Sequence, residues 1–186
     1  MSESLHIRLT GSPGERYLEP VNDASEAVYL ETGIRAYTEH YRHLWPDGNP
    51  HPYISRNLTP EILQAERIMP GFRHGLVCVN PDAAGILALR TDLDFPGFHP
   101  SRALMIDKLY LRNRYTGSGL GSAVMDGIRG FARRENRTGL WLKAMKRGKA
   151  LDFYTRQGFV ILGETTVPYP EILPAESPMW ILGQDL

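Results

Sequence analysis

Residues 108–121 read Lys-Leu-Tyr-Leu-Arg-Asn-Arg-Tyr-Thr-Gly-Ser-Gly-Leu-Gly: a strand, a short turn, then glycines at the start of a helix. The first amides of any helix lack an intrahelical partner and sit at the positive end of its dipole. Gly117, Gly119 and Gly121 remove side-chain bulk from that end, so a phosphate or diphosphate can lie directly against the backbone. A strand that runs into a helix and on to a second strand also commits this half of the chain to a parallel strand pair with the helix packed across it.

The rest of the composition narrows the class. A chain of 186 residues, 42% hydrophobic and 23% charged, predicts one globular domain over 1–186. Lys+Arg and Asp+Glu both number 21, so no net basic field draws nucleic acid or a membrane surface. Cys78 is the one cysteine; it excludes an internal disulfide and fits a reducing cytoplasm. It lies in His-Gly-Leu-Val-Cys-Val, a buried-strand pattern, which favours a packed thiol over a nucleophile. No basic segment followed by an apolar run opens the sequence, so no signal peptide is expected. No stretch approaches the ~18 apolar residues of a membrane span.

Along the chain, 5–9 is a strand candidate, a Gly-Ser-Pro-Gly turn follows at 11–14, and 17–20 extends the strand or forms loop. Asp23, Ala24, Ser25 and Glu26 have the form of a capping box, with an amphipathic helix to about His43. Val28, Tyr29, Ile34, Tyr37 and Tyr41 make its apolar face. Residues 46–58, rich in Pro, Asn and His, read as loop. Thr59, Pro60 and Glu61 start a short helix that ends near Met69 and Pro70. Strands follow at 74–79, 85–90 and 103–111, with turns at Asn80-Pro81-Asp82 and Pro96-Gly97. From Gly119 the period is helical. Leu120, Val124, Ile128 and Phe131 share one face, while Arg129, Arg133, Arg134 and Glu135 face water. Gly127 and Gly130 each cost a helix about 1 kcal/mol against alanine, which predicts close packing on a sheet. Strands at 140–144 and 159–163 flank a helix over 149–157 stopped by Gly158. Residues 167–178, with four prolines, form a long loop, and 179–182 is a closing strand. The order predicts a mixed α/β (α+β) sandwich.

The glycine turn alone has several readings. A Walker loop needs a lysine and then Ser/Thr after its last glycine, which Gly121-Ser122 does not supply. A Rossmann turn needs an early strand and an acid about 20 residues on, whereas this turn follows an antiparallel meander. A plain strand-to-helix turn with glycines kept for packing stays open at this point.

The wider pattern resembles the GNAT superfamily of N-acetyltransferases, whose core is a strand, Arg/Gln-x-x-Gly-x-Gly/Ala, and a helix. With Lys108, Leu109, Tyr110, Leu111 and Tyr115 aligned to it, Gly119 and Gly121 fall on the two glycines, and Thr116 stands where Arg or Gln is usual. A second block, Ala150-Leu-Asp-Phe-Tyr-Thr-Arg-Gln-Gly-Phe159, is similar to the family's Ala-x-x-Phe-Tyr-x-x-x-Gly-Phe. The resemblance covers about 74–163. It implies a GNAT-like mixed sheet with helices on both faces, splayed between the 103–111 and 140–144 strands. It divides the domain into acceptor-side helices and first strand (1–73), a coenzyme-binding core (74–163), and a proline-rich loop with closing strand (164–186).

Within the family, acetyl-coenzyme A lies in that splay and no metal is used. The resemblance implies that the pantetheine arm bonds the backbone at Leu109 and Leu111, beside Tyr110. It implies that the diphosphate meets Thr116, Gly117, Ser118, Gly119, Leu120, Gly121 and Ser122, with Thr116 weakening the binding by one charged contact. A family asparagine before the last helix is missing; Arg147, with Lys146 and Lys149, stands nearby and reaches for a coenzyme phosphate, or forms a solvated helix start.

Acetyl transfer to an amine needs a neutral nitrogen, a stabilised oxyanion and a proton for the departing thiolate. Tyr154 matches the family tyrosine that protonates sulfur, and a phenol with pKa ~10 is protonated at neutral pH; the alternative is packing alone. Asp107 is the candidate base, acting through water, where polyamine acetyltransferases carry a glutamate. On strand alternation Asp107, Leu109 and Leu111 share a face; the alternative is a carboxylate paired with Lys108 or an arginine. The Leu109 amide is placed to polarise the carbonyl. Tyr37, Glu39, His40, His43 and Trp45 supply the acceptor wall. His40, His43 and His51 lack the cysteine or carboxylate that completes a zinc set. The resemblance is nearest to bacterial polyamine or small-amine acetyltransferases, which implies a small-molecule amine as partner. A protein N-terminus or lysine as acceptor, and a non-catalytic coenzyme-binding module, are the competing functions. Dimers are common in the family, and Trp180 on the closing strand is a candidate interface residue.

Overall fold

The computed structural model describes residues 5–9, 15–93 and 102–186. The expected turns at 11–14 and Pro96-Gly97 lie outside them. In chain order the elements are β1 (Ile7–Arg8), β2 (Arg16–Pro20), α1 (Glu26–Tyr41), α2 (His51–Asn57), α3 (Pro60–Ile68), β3 (Phe72–Val79), β4 (Asp82–Arg90), β5 (Ala103–Leu111), α4 (Leu120–Arg134), β6 (Gly139–Met145), α5 (Ala150–Arg156), β7 (Val160–Thr166) and β8 (Pro178–Asp185). The strands form one sheet in the order β1-β2-β3-β4-β5-β6-β8-β7. Among the described residues only β5 and β6 pair in parallel, as the crossover through α4 requires.

The sheet separates two cores. On one face Leu18, Val77, Leu87 and Leu104 meet Leu120, Val124, Ile128 and Phe131 of α4, all buried; each such side chain contributes about 1.5–3 kcal/mol of burial. On the other, Leu76, Cys78 and Ile86 meet Tyr29, Leu30 and Tyr37 of α1 and Leu63 of α3. Thr59 caps α3 as expected, accepting from the Ile62 amide.

Several local expectations give way to tertiary partners. The capping box at 23–26 does not form. Ser25 occupies the N-cap without a side-chain bond into the helix; its Oγ accepts from the Asn22 amide instead, while Asn22 Oδ1 accepts from the Ala24 and Ser25 amides. Asp23 and Glu26 instead bind Arg67 and tie α1 to α3. Part of the 46–58 loop is helical: Asn49 Oδ1 accepts from the His51 amide, and Tyr53 of α2 stacks on Tyr37 at 3.9 Å. Gly127 does pack closely, with β1's flank at Leu9 2.9 Å from where a Cβ would stand, but Gly130 meets only the tip of Arg134. Arg129 is half-buried, donating to the Gln157 carbonyl and to Gln184. Trp180 is not at an edge: β8 lies between β6 and β7, and Lys146 Nζ sits 3.8 Å over the indole ring. The exposed edge is β7, where Val160, Ile161 and Leu162 are 60%, 50% and 41% exposed.

Gly85 of β4 lies opposite Leu111, and a Cβ there would collide with the Tyr110 carbonyl oxygen. Backbone cannot step aside. Gly85→Ala is expected to cost about 1–3 kcal/mol and to lower the calorimetric unfolding midpoint by several degrees; an unchanged midpoint would contradict the close approach.

Candidate active site

The site begins with one unpaired residue. β4 pairs Leu89 with Ile106 and Ala88 with Lys108, leaving Asp107 as a bulge. A bulge bends its strand. β5 stays in register with β6 only over Ala103–Ile106 against Gly139–Leu142. Beyond that point β5 continues to Leu111 without β6, and a cavity of about 230 Å³ opens between the two strands. Leu109, Tyr110, Leu142 and Ala144 line it from the strands, Tyr37, Tyr41 and Tyr53 from α1 and α2, and Tyr154 from α5.

The bulge also overturns the expected alternation. Leu109 and Leu111 pack toward the α4 core, whereas Asp107 turns to Lys108, whose Nζ is 2.9 Å from Asp107 Oδ2 and 3.1 Å from Glu66 Oε1. Glu66 in turn meets His74 Nε2 at 2.7 Å. An Asp107–Lys108–Glu66–His74 chain therefore runs from the cavity into the interior. Burial opposes charge on Lys108, but Asp107 and Glu66 more than offset it and raise its pKa. Burial likewise works against Glu66, yet the His74 bond and the Lys108 charge hold its carboxyl below the usual range.

Tyr154 is set by α5 and its cap. Gly158, at φ +88°, reverses the chain so that the Phe159 amide donates to the Tyr154 carbonyl. Phe153 and Phe159 then flank the Tyr154 ring edge-on at 5.0 and 5.5 Å. Burial, reinforced by the Tyr41 phenol, pushes Tyr154 well above the ordinary phenol range. Its hydroxyl is protonated and can donate.

At the glycine turn, Gly117 and Gly119 adopt φ of +77° and +78°, and Gly119 is the α4 N-cap without a side-chain bond. Among the described residues the amides of Gly117, Gly119, Gly121 and Ser122 have no hydrogen-bond acceptor. A Cβ at Gly117 or Gly119 would meet nothing within 4 Å, so no protein group covers the turn on that side. Other members of the expected set contribute backbone only. Leu120 is buried in the core, the Ser122 hydroxyl accepts from Gln157, Ser118 Oγ donates to the Tyr115 carbonyl, and Thr116 Oγ1 turns to Asn113. Gly121 is a packing glycine, its Cβ position 3.1 Å from Phe153. Arg147, largely exposed, pairs with Glu176, and Lys146 with Glu164.

The acceptor wall also differs from expectation. Tyr37 lines the cavity, with buried Trp45 behind it donating to its hydroxyl at 3.2 Å. Glu39 and His40 do not line it. Glu39 accepts from Arg112 Nε and the Asn113 amide, and His40 Nε2 donates to the Leu111 carbonyl at 2.8 Å. Both brace the junction between β5 and the glycine turn, and His40 already occupies one acceptor site of the Leu111 carbonyl. Tyr53 and Tyr169 were hidden in segments that read as loop; the spacing of Tyr37 and Tyr41 was the one visible sign of the wall. Burial pushes Cys78 up to about 11, which keeps it a thiol. Among the described residues no three His, Cys, Asp or Glu side chains gather as a metal set, and no helix is long and apolar enough to cross a membrane.

Splayed parallel strands, a glycine turn with unbonded amides and a half-buried phenol are the features on which acyl transfer can be built. Residues 34–159 match the model of the acetyltransferase (GNAT) family. The chain belongs to that family and is an acetyltransferase. No curated protein matches it in sequence. The fold is shared with PaiA N-acetyltransferase from Thermoplasma acidophilum in complex with coenzyme A (TM-score 0.71, 11% identity, 92% of this chain and 99% of that one). It is also shared with a GCN5-related N-acetyltransferase from Rhodopseudomonas palustris (TM-score 0.68, 17% identity, 97% and 99%). Ard1 from Thermoplasma volcanium is also similar (TM-score 0.64, 18% identity, 92% and 97%).

Proposed function

We propose that this protein transfers the acetyl group of acetyl-coenzyme A directly to a primary amine of a small molecule, within a ternary complex. The observation that carries the reading is that the β5/β6 splay and a protonated Tyr154 share one cavity, while the turn that follows β5 holds unbonded amides at Gly117, Gly119, Gly121 and Ser122. The open amides fit a diphosphate, and the coenzyme supplies the activated acetyl thioester. Asp107 takes the proton leaving the amine nitrogen through a water as the N–C bond forms. Tyr154 gives its proton to sulfur as the C–S bond breaks. The enclosure of the cavity by α1, α2 and the loop carrying Tyr169 supports a small acceptor over a protein terminus.

Calorimetry with acetyl-coenzyme A, followed by thiol release across an amine panel, tests this. Binding with amine-dependent release is expected; no affinity for the coenzyme would end it. The reading extends to a cytoplasmic enzyme, consistent with its single thiol, and to a homodimer joined along β7. Val160→Lys with Leu162→Lys is expected to shift a dimer to monomer in sedimentation; a wild-type monomer would refute the seam.

A further inference from the structure

We infer that the acceptor carries a single amino group on an aromatic or aliphatic body, bound against the tyrosine wall; this rests on the acetyl-transfer reading above. A polyamine needs a carboxylate for each ammonium it keeps. Among the described residues Asp107 is the one carboxylate lining the cavity, and it is paired with Lys108. The other charged lining residues are Lys108 and Lys143. Glu39, the acid that α1 offered, is held by Arg112. Lys108 is already neutralised by Asp107 and Glu66, and burial favours the neutral form of an amine, which is the form that attacks. One amino group gains from this, whereas each further ammonium is left uncompensated.

The wall is apolar despite its composition. Tyr53 and Tyr110 hydroxyls bond each other at 2.6 Å, Tyr37 accepts from Trp45, and Tyr169 accepts from Asn57 at 2.6 Å. Each of these hydroxyls already holds one internal partner, and the rings present mainly carbon to a ligand. Tyr37 and Tyr53 stack within 8° of parallel, and Tyr110 stands edge-on to Tyr37 at 5.4 Å. Such a surface pairs with an aryl or alkyl body and gives a polyhydroxylated sugar few partners.

The test is thiol release with 2-phenylethylamine, hexylamine, spermidine, kanamycin and a peptide N-terminus, after coenzyme binding has been measured. A monoamine should exceed spermidine in kcat/KM by about 10²-fold. Spermidine, kanamycin or the peptide matching the monoamines overturns the inference while leaving acetyl transfer intact. Absent coenzyme binding, or no release with any amine, overturns the underlying reading and the inference with it. Tyr53→Leu should raise KM for the monoamine about tenfold with the coenzyme-induced rise in unfolding midpoint preserved; an unchanged KM removes the wall from the site.

A separate observation concerns Arg16. It opens β2, is 8% exposed, and has an Nε without a partner. Its Nη1 donates to the Ser118 carbonyl at 3.3 Å. In a trans peptide the carbonyl and the following N–H point in opposite directions, so drawing the Ser118 carbonyl inward turns the Gly119 N–H outward. A buried guanidinium beside the positive end of α4 is a like-sign arrangement that an anion in the turn would relieve. We propose that Arg16 is a positioning residue for the coenzyme diphosphate, in the role that Thr116 leaves open.

Arg16→Met and Arg16→Lys should be compared with two donors, acetyl-coenzyme A and S-acetyl-N-acetylcysteamine, which lacks the diphosphate. Met is expected to raise KM for acetyl-coenzyme A about tenfold, with Lys recovering part of it and the short donor used as by wild type. Equal losses with both donors would make Arg16 merely structural, and unchanged KM would make it irrelevant. Wild-type protein without coenzyme affinity would instead refute the acetyl-transfer reading.

Discussion

Gly119→Trp is expected to abolish measurable binding of coenzyme A, and Gly119→Ala to weaken it several-fold. Gly119 holds φ at +78° with open space around its Cβ position. Alanine adds only the strain of a left-handed non-glycine residue, about 1–2 kcal/mol. Tryptophan adds a large side chain on the uncovered side of the turn. A charge-assisted bond to a phosphate oxygen is worth about 1.5–3 kcal/mol, so losing two or three exceeds the range of calorimetry. Gly130→Ala is the control: its Cβ meets only Arg134, and binding should be unchanged. Wild-type affinity in Gly119→Trp would remove the cradle from the mechanism.

The parts of this site that were legible in the sequence are those fixed by neighbours in the chain. The α4 face and the glycine turn follow from helical period and from the backbone angles that only glycine adopts freely. Gly158 and the rings around Tyr154 follow in the same way from one short block. What stayed hidden depends on contacts across the fold. Alternation is the default for a strand, so nothing in Ile106-Asp107-Lys108 announces the bulge that moves Asp107 off the Leu109 face. Glu39 and His40 have the chemistry of an acceptor wall, but the docking of α1 turns them to Arg112 and Leu111. α2 has poor helical composition and is held by the stacking of Tyr53 on Tyr37, a contact between residues the sequence reading put in different classes. Arg16 lies far from the turn in sequence, and its bond to Ser118 appears only when α4 packs across β2.

Tyr154→Phe is expected to lower kcat about 10²-fold while affinity for acetyl-coenzyme A stays within about twofold, since the mutation removes one oxygen and no phosphate contact. The ring stays edge-on to Phe153 and Phe159, so packing is kept and the proton is lost. Because burial and Tyr41 raise the phenol's pKa, Tyr154 remains a donor across neutral and moderately basic pH. The wild-type kcat should therefore show no alkaline fall assignable to it below about 10. The leaving thiol separates the two roles this residue can have. Without an acid, expulsion depends on how well the thiolate bears its charge, so the variant's rate should rise steeply as the thiol of the acetyl donor becomes more acidic. A tyrosine that only packs would slow donors of all thiol acidities alike, and full activity in the variant would leave Tyr154 no part in proton transfer.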